Sequence, residues 1–243
     1  MLIIFTVLLF VLGLVFGSFF NVLIWRLPRK QSIVAPRSHC PKCKSQLSLF
    51  ELIPVISFLL QKGRCRHCKA KISLEYPVIE LLTAIGFVFF GLVTTTWLQL
   101  LANLFFFSCL LVSAVIDLHH KLILDVITIP GIALALVFSL LEVTVPINLS
   151  LLGILIGGGL LLAMAVISKG GMGMGDVKFL AMIGGFLGPY GAMLSLVIAS
   201  FLGAVIGMIY LVVTKQSRKT PIPFGPFLAL GAVAAFVYLN LYI

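Results

Sequence analysis

The chain is short of acid and short of charge of either sign. Seven of its 243 residues are Asp or Glu, 17 are Lys or Arg, and charged residues reach 10% against 61% hydrophobic. A soluble domain carries about 25% charged residues. With a mean hydropathy of +1.23, this scarcity excludes water as the main solvent and points to the bilayer. No basic residue precedes Arg26, so the charged start of a cleaved signal peptide is missing. The first apolar run reads instead as a retained helix with its N-terminus outside. No basic stripe is interleaved with stacking aromatics, which argues against nucleic acid as a partner despite a net charge of +10.

What is present is a series of eight apolar runs, at about 2–24, 77–97, 99–118, 123–141, 148–168, 177–190, 191–213 and 222–243. Runs near 20 residues are long enough to cross a membrane. The expected fold is therefore an all-α polytopic membrane protein of about eight transmembrane helices. Residues 1–25 form the first helix, 26–76 a small loop domain and 77–243 the transmembrane bundle. Pro130 interrupts the fourth run, and the short sixth ends in Gly188-Pro189. Charge placement tests this count. With the N-terminus outside, every Lys and Arg falls in or beside the cytosolic loops 25–76, 119–122, 169–176 and 214–221, as the positive-inside rule requires. "KQSRK" at 215–219 would lie outside if the sixth run failed to cross.

The loop at 26–76 holds "CPKC" at 40–43 and "CRHC" at 65–68. Two C-x2-C pairs at this distance suit a structural zinc site on Cys40, Cys43, Cys65 and Cys68. Unliganded thiols and a redox pair are the alternatives; a cytosolic position argues against disulfides. His39 and His67 adjoin the pairs as interfacial side chains, and Cys109 reads as a small buried hydrophobe.

Glu51, Glu75 and Glu142 read as solvated. Glu80, Asp117, Asp125 and Asp176 lie at helix ends, all on the cytosolic side by parity of crossing. Ionisable residues at membrane depth are functional hypotheses by default. Asp117 and Asp176, 59 positions apart, can thus meet at one depth. Two close carboxylates divide into base and proton donor, and such a pair suits amide hydrolysis. Helix capping is the bland alternative for either. Gly171, Gly173 and Gly175 before Asp176 favour the catalytic reading, because glycine allows positive φ and close backbone approach. Lys178 stands two positions from Asp176, so on a helix the two do not face each other. Gly157 to Gly159 suit tight helix packing. A proton- or cation-coupled transporter and a zinc-stabilised scaffold without chemistry are the rival classes.

Taken together, "GSFFNVLIWRLP" at 17–28, the cysteine loop at 39–80, "VIDLHHKLILDVIT" at 115–128 and "GMGDVK" at 173–178 closely resemble the type IV prepilin leader peptidase/N-methyltransferase family. These are polytopic aspartyl proteases of the G-x-G-D class. The resemblance implies Asp117 and Asp176 as the catalytic dyad, with Asp125, Lys178, Glu80, Gly173 and Gly175 in support. It also implies zinc on the four cysteines. The implied substrates are prepilins and pseudopilins, cut at the cytosolic face of a bacterial inner membrane, in pilus, secretion or competence systems. Methylation of the new N-terminus from S-adenosylmethionine is implied too, with Gly63-Arg64 in the region tied to it. Where the family usually has Pro-Asp and Gly-Lys, this chain has Leu124-Asp125 and Gly63-Arg64. No dinucleotide-type motif for the methyl donor occurs, and oligomeric state is left open.

Overall fold

The structure is a computed structural model that describes residues 2–167, 173–214 and 222–242. Gly171, Lys169 and the "KQSRK" segment lie outside the described residues. Among the described residues eight α-helices follow one another: α1 Leu2–Arg26, α2 Ile56–Leu60, α3 Glu75–Leu92, α4 Trp97–His120, α5 Asp125–Leu140, α6 Ile147–Ile167, α7 Met174–Thr214 and α8 Gly225–Tyr242. No strand forms among the described residues; two isolated antiparallel bridges, His39 with Gln46 and Arg64 with Lys71, are the only β pairings there.

Five helices, α1, α3, α4, α6 and α7, are long and apolar enough to cross a membrane, and α5 and α8 are shorter apolar helices. At 41 residues α7 is twice the length of one crossing. It is two segments joined at Gly188, whose φ of 71° and ψ of −176° no helix contains, followed by Pro189. The kink divides the sixth expected run from the seventh. The second run stops short of its expected end at 97. Three consecutive threonines intervene there, and Thr96 caps α4 by accepting the Gln99 N–H on its hydroxyl.

The chain separates into two compact units at Thr94–Thr95. In the first, α1 packs along α3 through Gly13 and Gly17. A methyl group on either would collide with the backbone of Ala84 or Glu80. Much of α1 is left apolar and exposed, Ile3, Leu8 and Val15 among the residues concerned. That suits a helix whose solvent is lipid.

In the second unit α6 and α7 make the closest approach, Gly153 against Gly184 and Gly157 against the Leu180 carbonyl. Small residues allow this where hydrophobicity gives no drive between helices. Of the three glycines expected to pack, Gly159 meets nothing within 4 Å. The Ser150 hydroxyl donates to the Gly185 carbonyl at 2.7 Å across the same seam. Cys109 is buried, as expected of a small hydrophobe.

Candidate active site and metal centre

Four helix ends of the second unit converge. Lys121, in the left-handed conformation at φ 54°, stops α4 and returns its N–H to the Asp117 carbonyl. The following Ile123 lies against Gly175 near the start of α7, where a β-carbon would come within 2.8 Å of the Ile123 side chain and 3.1 Å of its carbonyl oxygen. Asp125 opens α5 and Gly225 opens α8. The glycine stretch does admit a close backbone neighbour, and at Gly175 that neighbour is the chain's own Ile123. At Gly173 it is the Asp176 carboxylate, 3.3 Å from where a β-carbon would sit.

Asp117 and Asp176 are two of the three described acids of this end, with Asp125. Asp117 is buried and accepts the Gly225 N–H on Oδ2 at 2.8 Å. Asp176 is half-buried in the first turn of α7, next to Gly175, which packs against Ile123 six residues after Asp117. One of the pair is thus held by a backbone donor and the other sits nearer the surface. A water between two such groups has an acceptor for its proton and a donor for a substrate carbonyl.

Asp125 and Lys178 take each other. Both carboxylate oxygens of Asp125 accept from Lys178 Nζ, at 2.7 and 2.8 Å, joining α5 to α7. Lys178 therefore points away from Asp176, as the two-residue spacing requires. Gly225 was not picked out from the sequence. Its β-carbon would lie 2.9 Å from Asp117 Oδ2 and 3.1 Å from Asp117 Cβ, so a larger residue would displace the Asp117 carboxylate. The one local signal is its place beside Pro226 at a helix start.

Glu80 belongs to the first unit. Its Oε2 accepts the Val55 N–H at 2.7 Å. Val55 sits at φ 59° and ψ −50°, while Ile56 N–H reaches back to the Pro54 carbonyl at 2.5 Å. This is a strained γ-turn, rarer still for a β-branched residue. A buried carboxylate on its central N–H holds it in place. Glu80 so ties the loop to α3.

The four cysteines form two matching knuckles. Cys40 N–H donates to the Ser45 carbonyl and Lys44 N–H to the Cys40 carbonyl, both at 2.9 Å. Cys65 N–H to Ala70 and Lys69 N–H to Cys65 repeat the pattern at 2.8 and 3.0 Å. Lys44 and Lys69 occupy the same left-handed position, φ 61° and 60°. All four Sγ atoms lie within 4.8 Å of one another. Cys40 and Cys68 sulfurs stand 3.8 Å apart, close to the edge of a tetrahedron with bonds of about 2.3 Å. The Ser45 hydroxyl and N–H pull the Cys43 thiol down to about 6. The backbone N–H of Cys68, then that of His67, lower Cys65. Hydrogen bonds to the charged form favour the Cys43 and Cys65 thiolates, while against the Ala70 backbone N–H, burial and the neighbouring thiols push Cys68 up to about 11.

Gly63 and Arg64 lead into the second knuckle. Gly63, at φ 65°, lies against the Phe58 ring, and its carbonyl accepts the Ile72 N–H at 2.8 Å. Arg64 is exposed. Glu51, expected to be solvated, is folded in. Its Oε2 takes the Ser48 N–H and hydroxyl at 2.9 Å, and its Oε1 lies 3.8 Å from His67 Nε2. The Ser48 N–H, with the hydroxyl behind it, holds the Glu51 carboxyl below its ordinary value.

Two family descriptions match the chain, and their limits follow the division at Thr94. The Bacterial Peptidase A24 N-terminal domain matches residues 11–94 and the Type IV leader peptidase family residues 104–208. A prepilin leader peptidase/N-methyltransferase of Bacillus subtilis is 38% identical over 95% of this chain and 93% of its own length. A type 4 prepilin-like proteins leader peptide-processing enzyme of Escherichia coli is 37% identical over 94% and 91%. A prepilin leader peptidase/N-methyltransferase of Pseudomonas aeruginosa is 35% identical over 93% and 88%. No solved structure matches the chain. With both halves matched in order, and with relatives aligned over nearly their whole length, the chain belongs to the type IV leader peptidase family.

Proposed function

We propose that this multi-pass membrane protein is a prepilin leader peptidase with N-methyltransferase activity, and that Asp117 and Asp176 perform the cleavage. The observation that carries the assignment is their convergence: two carboxylates 59 positions apart in sequence, on helix ends that meet where Gly175 packs against Ile123 and Gly225 against Asp117. The pair shares one proton around a water. One carboxylate takes a proton from the water as its oxygen attacks the scissile carbonyl, and the other gives its proton to the carbonyl oxygen. The C–N bond then breaks, and the leaving amine takes a proton back from the dyad. Coupled sites titrate as a pair, so the proton belongs to the dyad rather than to one residue.

The substrates are prepilins or pseudopilins, cut at the cytosolic face of the inner membrane. The basic loops around α1, α4 and α7 support that sidedness. Cys40, Cys43, Cys65 and Cys68 hold structural zinc, which cross-links a loop too short to bury a core of its own. Residues fitted to a methyl donor are a different matter. The cavity beside the end of α1 is lined by Arg26 and Arg37 and by no carboxylate, a poor match for a sulfonium cation. Methyl transfer by this chain therefore rests on the family alone. The transporter reading finds no observation in its favour.

The test is cleavage of a prepilin-like substrate by the purified protein in liposomes, wild type beside Asp117→Asn, Asp176→Asn and Asp125→Asn, with folding checked for each. Loss in the first two alone supports the dyad. Loss in Asp125→Asn with Asp117→Asn active would move the dyad by one helix end.

A further inference from the structure

Arg26 is the one buried basic side chain among the described residues, only 8% exposed. It ends α1, and its guanidinium reaches two backbone carbonyls, Ser32 from Nη1 at 2.8 Å and Pro36 from Nη2 at 2.7 Å. Neither carries charge. A guanidinium offers five N–H donors, and no described carboxylate forms a salt bridge with this one. A buried charge without a counter-charge is costly. Glu51, the acid of the adjoining loop turn, is already committed to Ser48.

Arg26 lines a cavity of about 520 Å³, within the usual range for ligand sites. Arg37, Ser38 and Ser48 also line it, and so do Phe19 and Val22, two turns and one turn earlier on α1 and so inside the apolar span. The cavity thus joins a pair of arginines at the interface to side chains at hydrocarbon depth. We infer that it holds an anionic membrane phospholipid, the phosphate on Arg26 and Arg37 and an acyl chain along Phe19 and Val22. Arginine suits a phosphate by its fork of donors, and the apolar lining separates a lipid from a free phosphate. The inference rests on α1 lying in a membrane and is independent of the peptidase reading.

Trp25 is adjacent to Arg26, and the chain has two tryptophans, so Trp97→Phe leaves Trp25 as sole reporter. The full chain in phosphatidylcholine nanodiscs is doped with brominated phosphatidylglycerol or brominated phosphatidylcholine, and quenching of Trp25 is followed. The expected result is half-quenching at a roughly fivefold lower mole fraction of the anionic lipid, the preference falling to near unity in Arg26→Gln and Arg37→Gln. Lys71→Gln, which removes the same charge from an exposed site of the same loop, keeps it. Should Arg26→Gln fail to fold, Arg37→Gln decides the matter, because Arg37 is exposed. Equal quenching by both lipids overturns the inference, as does an equal fall in Lys71→Gln. Abolition of the preference by excess inorganic phosphate also overturns it, in favour of a soluble ligand.

Discussion

The cysteine knuckles and the aspartate end are both small clusters of ionisable side chains, held by opposite means. The knuckles are local. Each is closed by its own backbone within six residues, from Cys40 to Ser45 and from Cys65 to Ala70, and they meet through four sulfurs that lie within 4.8 Å of one another. The aspartate end is assembled chiefly from partners far apart in the sequence. Asp117 leans on Gly225, Gly175 on Ile123 and Lys178 on Asp125, so its geometry is made by helix packing. A locally closed site of this kind would fail on losing an ion held by its sulfurs, whereas a packed site fails when one contact is overfilled.

The largest effect should come from the dyad. Asp117→Asn or Asp176→Asn should lower prepilin cleavage by about 10³-fold or more, each variant losing a group that general acid–base catalysis needs. Single-turnover cleavage in liposomes measures it. Gly225→Ala comes next. An added methyl group meets Asp117, and a shift of about 1 Å near the chemistry can cost about 10²-fold. Cleavage should fall by that order while the melting temperature stays close to wild type; unchanged cleavage would separate Gly225 from the site.

Zinc removal sharpens the other half of the comparison. Elemental analysis should find one zinc per chain and, in Cys65→Ser, a large loss. Chelation should expose residues 39–72 to protease while the helices after Thr95 stay protected. The smallest effect is expected at the Asp125–Lys178 pair. Its side chains are 56% and 35% exposed, and ion pairs this open contribute about 0–1 kcal/mol. Asp125→Asn should retain cleavage within about tenfold of wild type, a range that a misassigned dyad would exceed.

What the sequence discloses follows the same division. The knuckles were legible because spacing alone defines them. Gly188-Pro189 was legible as a break because no helix continues through that pair. Counting crossings puts Asp117 and Asp176 at the same end of the bundle, and the helix ends that carry them do meet, Gly175 against Ile123. Gly225 could not be read: the demand for glycine there comes from a side chain 108 positions away. Glu80 looked like a member of the acidic group by depth, yet depth does not say which partner a carboxylate takes. Its partner is the Val55 N–H, and a γ-turn at a valine has no signature in residue type. Glu51 misled in the other direction, because a capping box looks polar and solvated until the chain around it closes.

The bond from Gly225 to Asp117 also sets an order in time. Gly225 leaves the ribosome 108 residues after Asp117, and Asp176 emerges between them. A nascent chain therefore presents both aspartates before the N–H that fixes one of them exists. Synthesis halted ahead of Gly225 would leave Asp117 without its backbone donor, so the arrangement of this end is completed late in biogenesis.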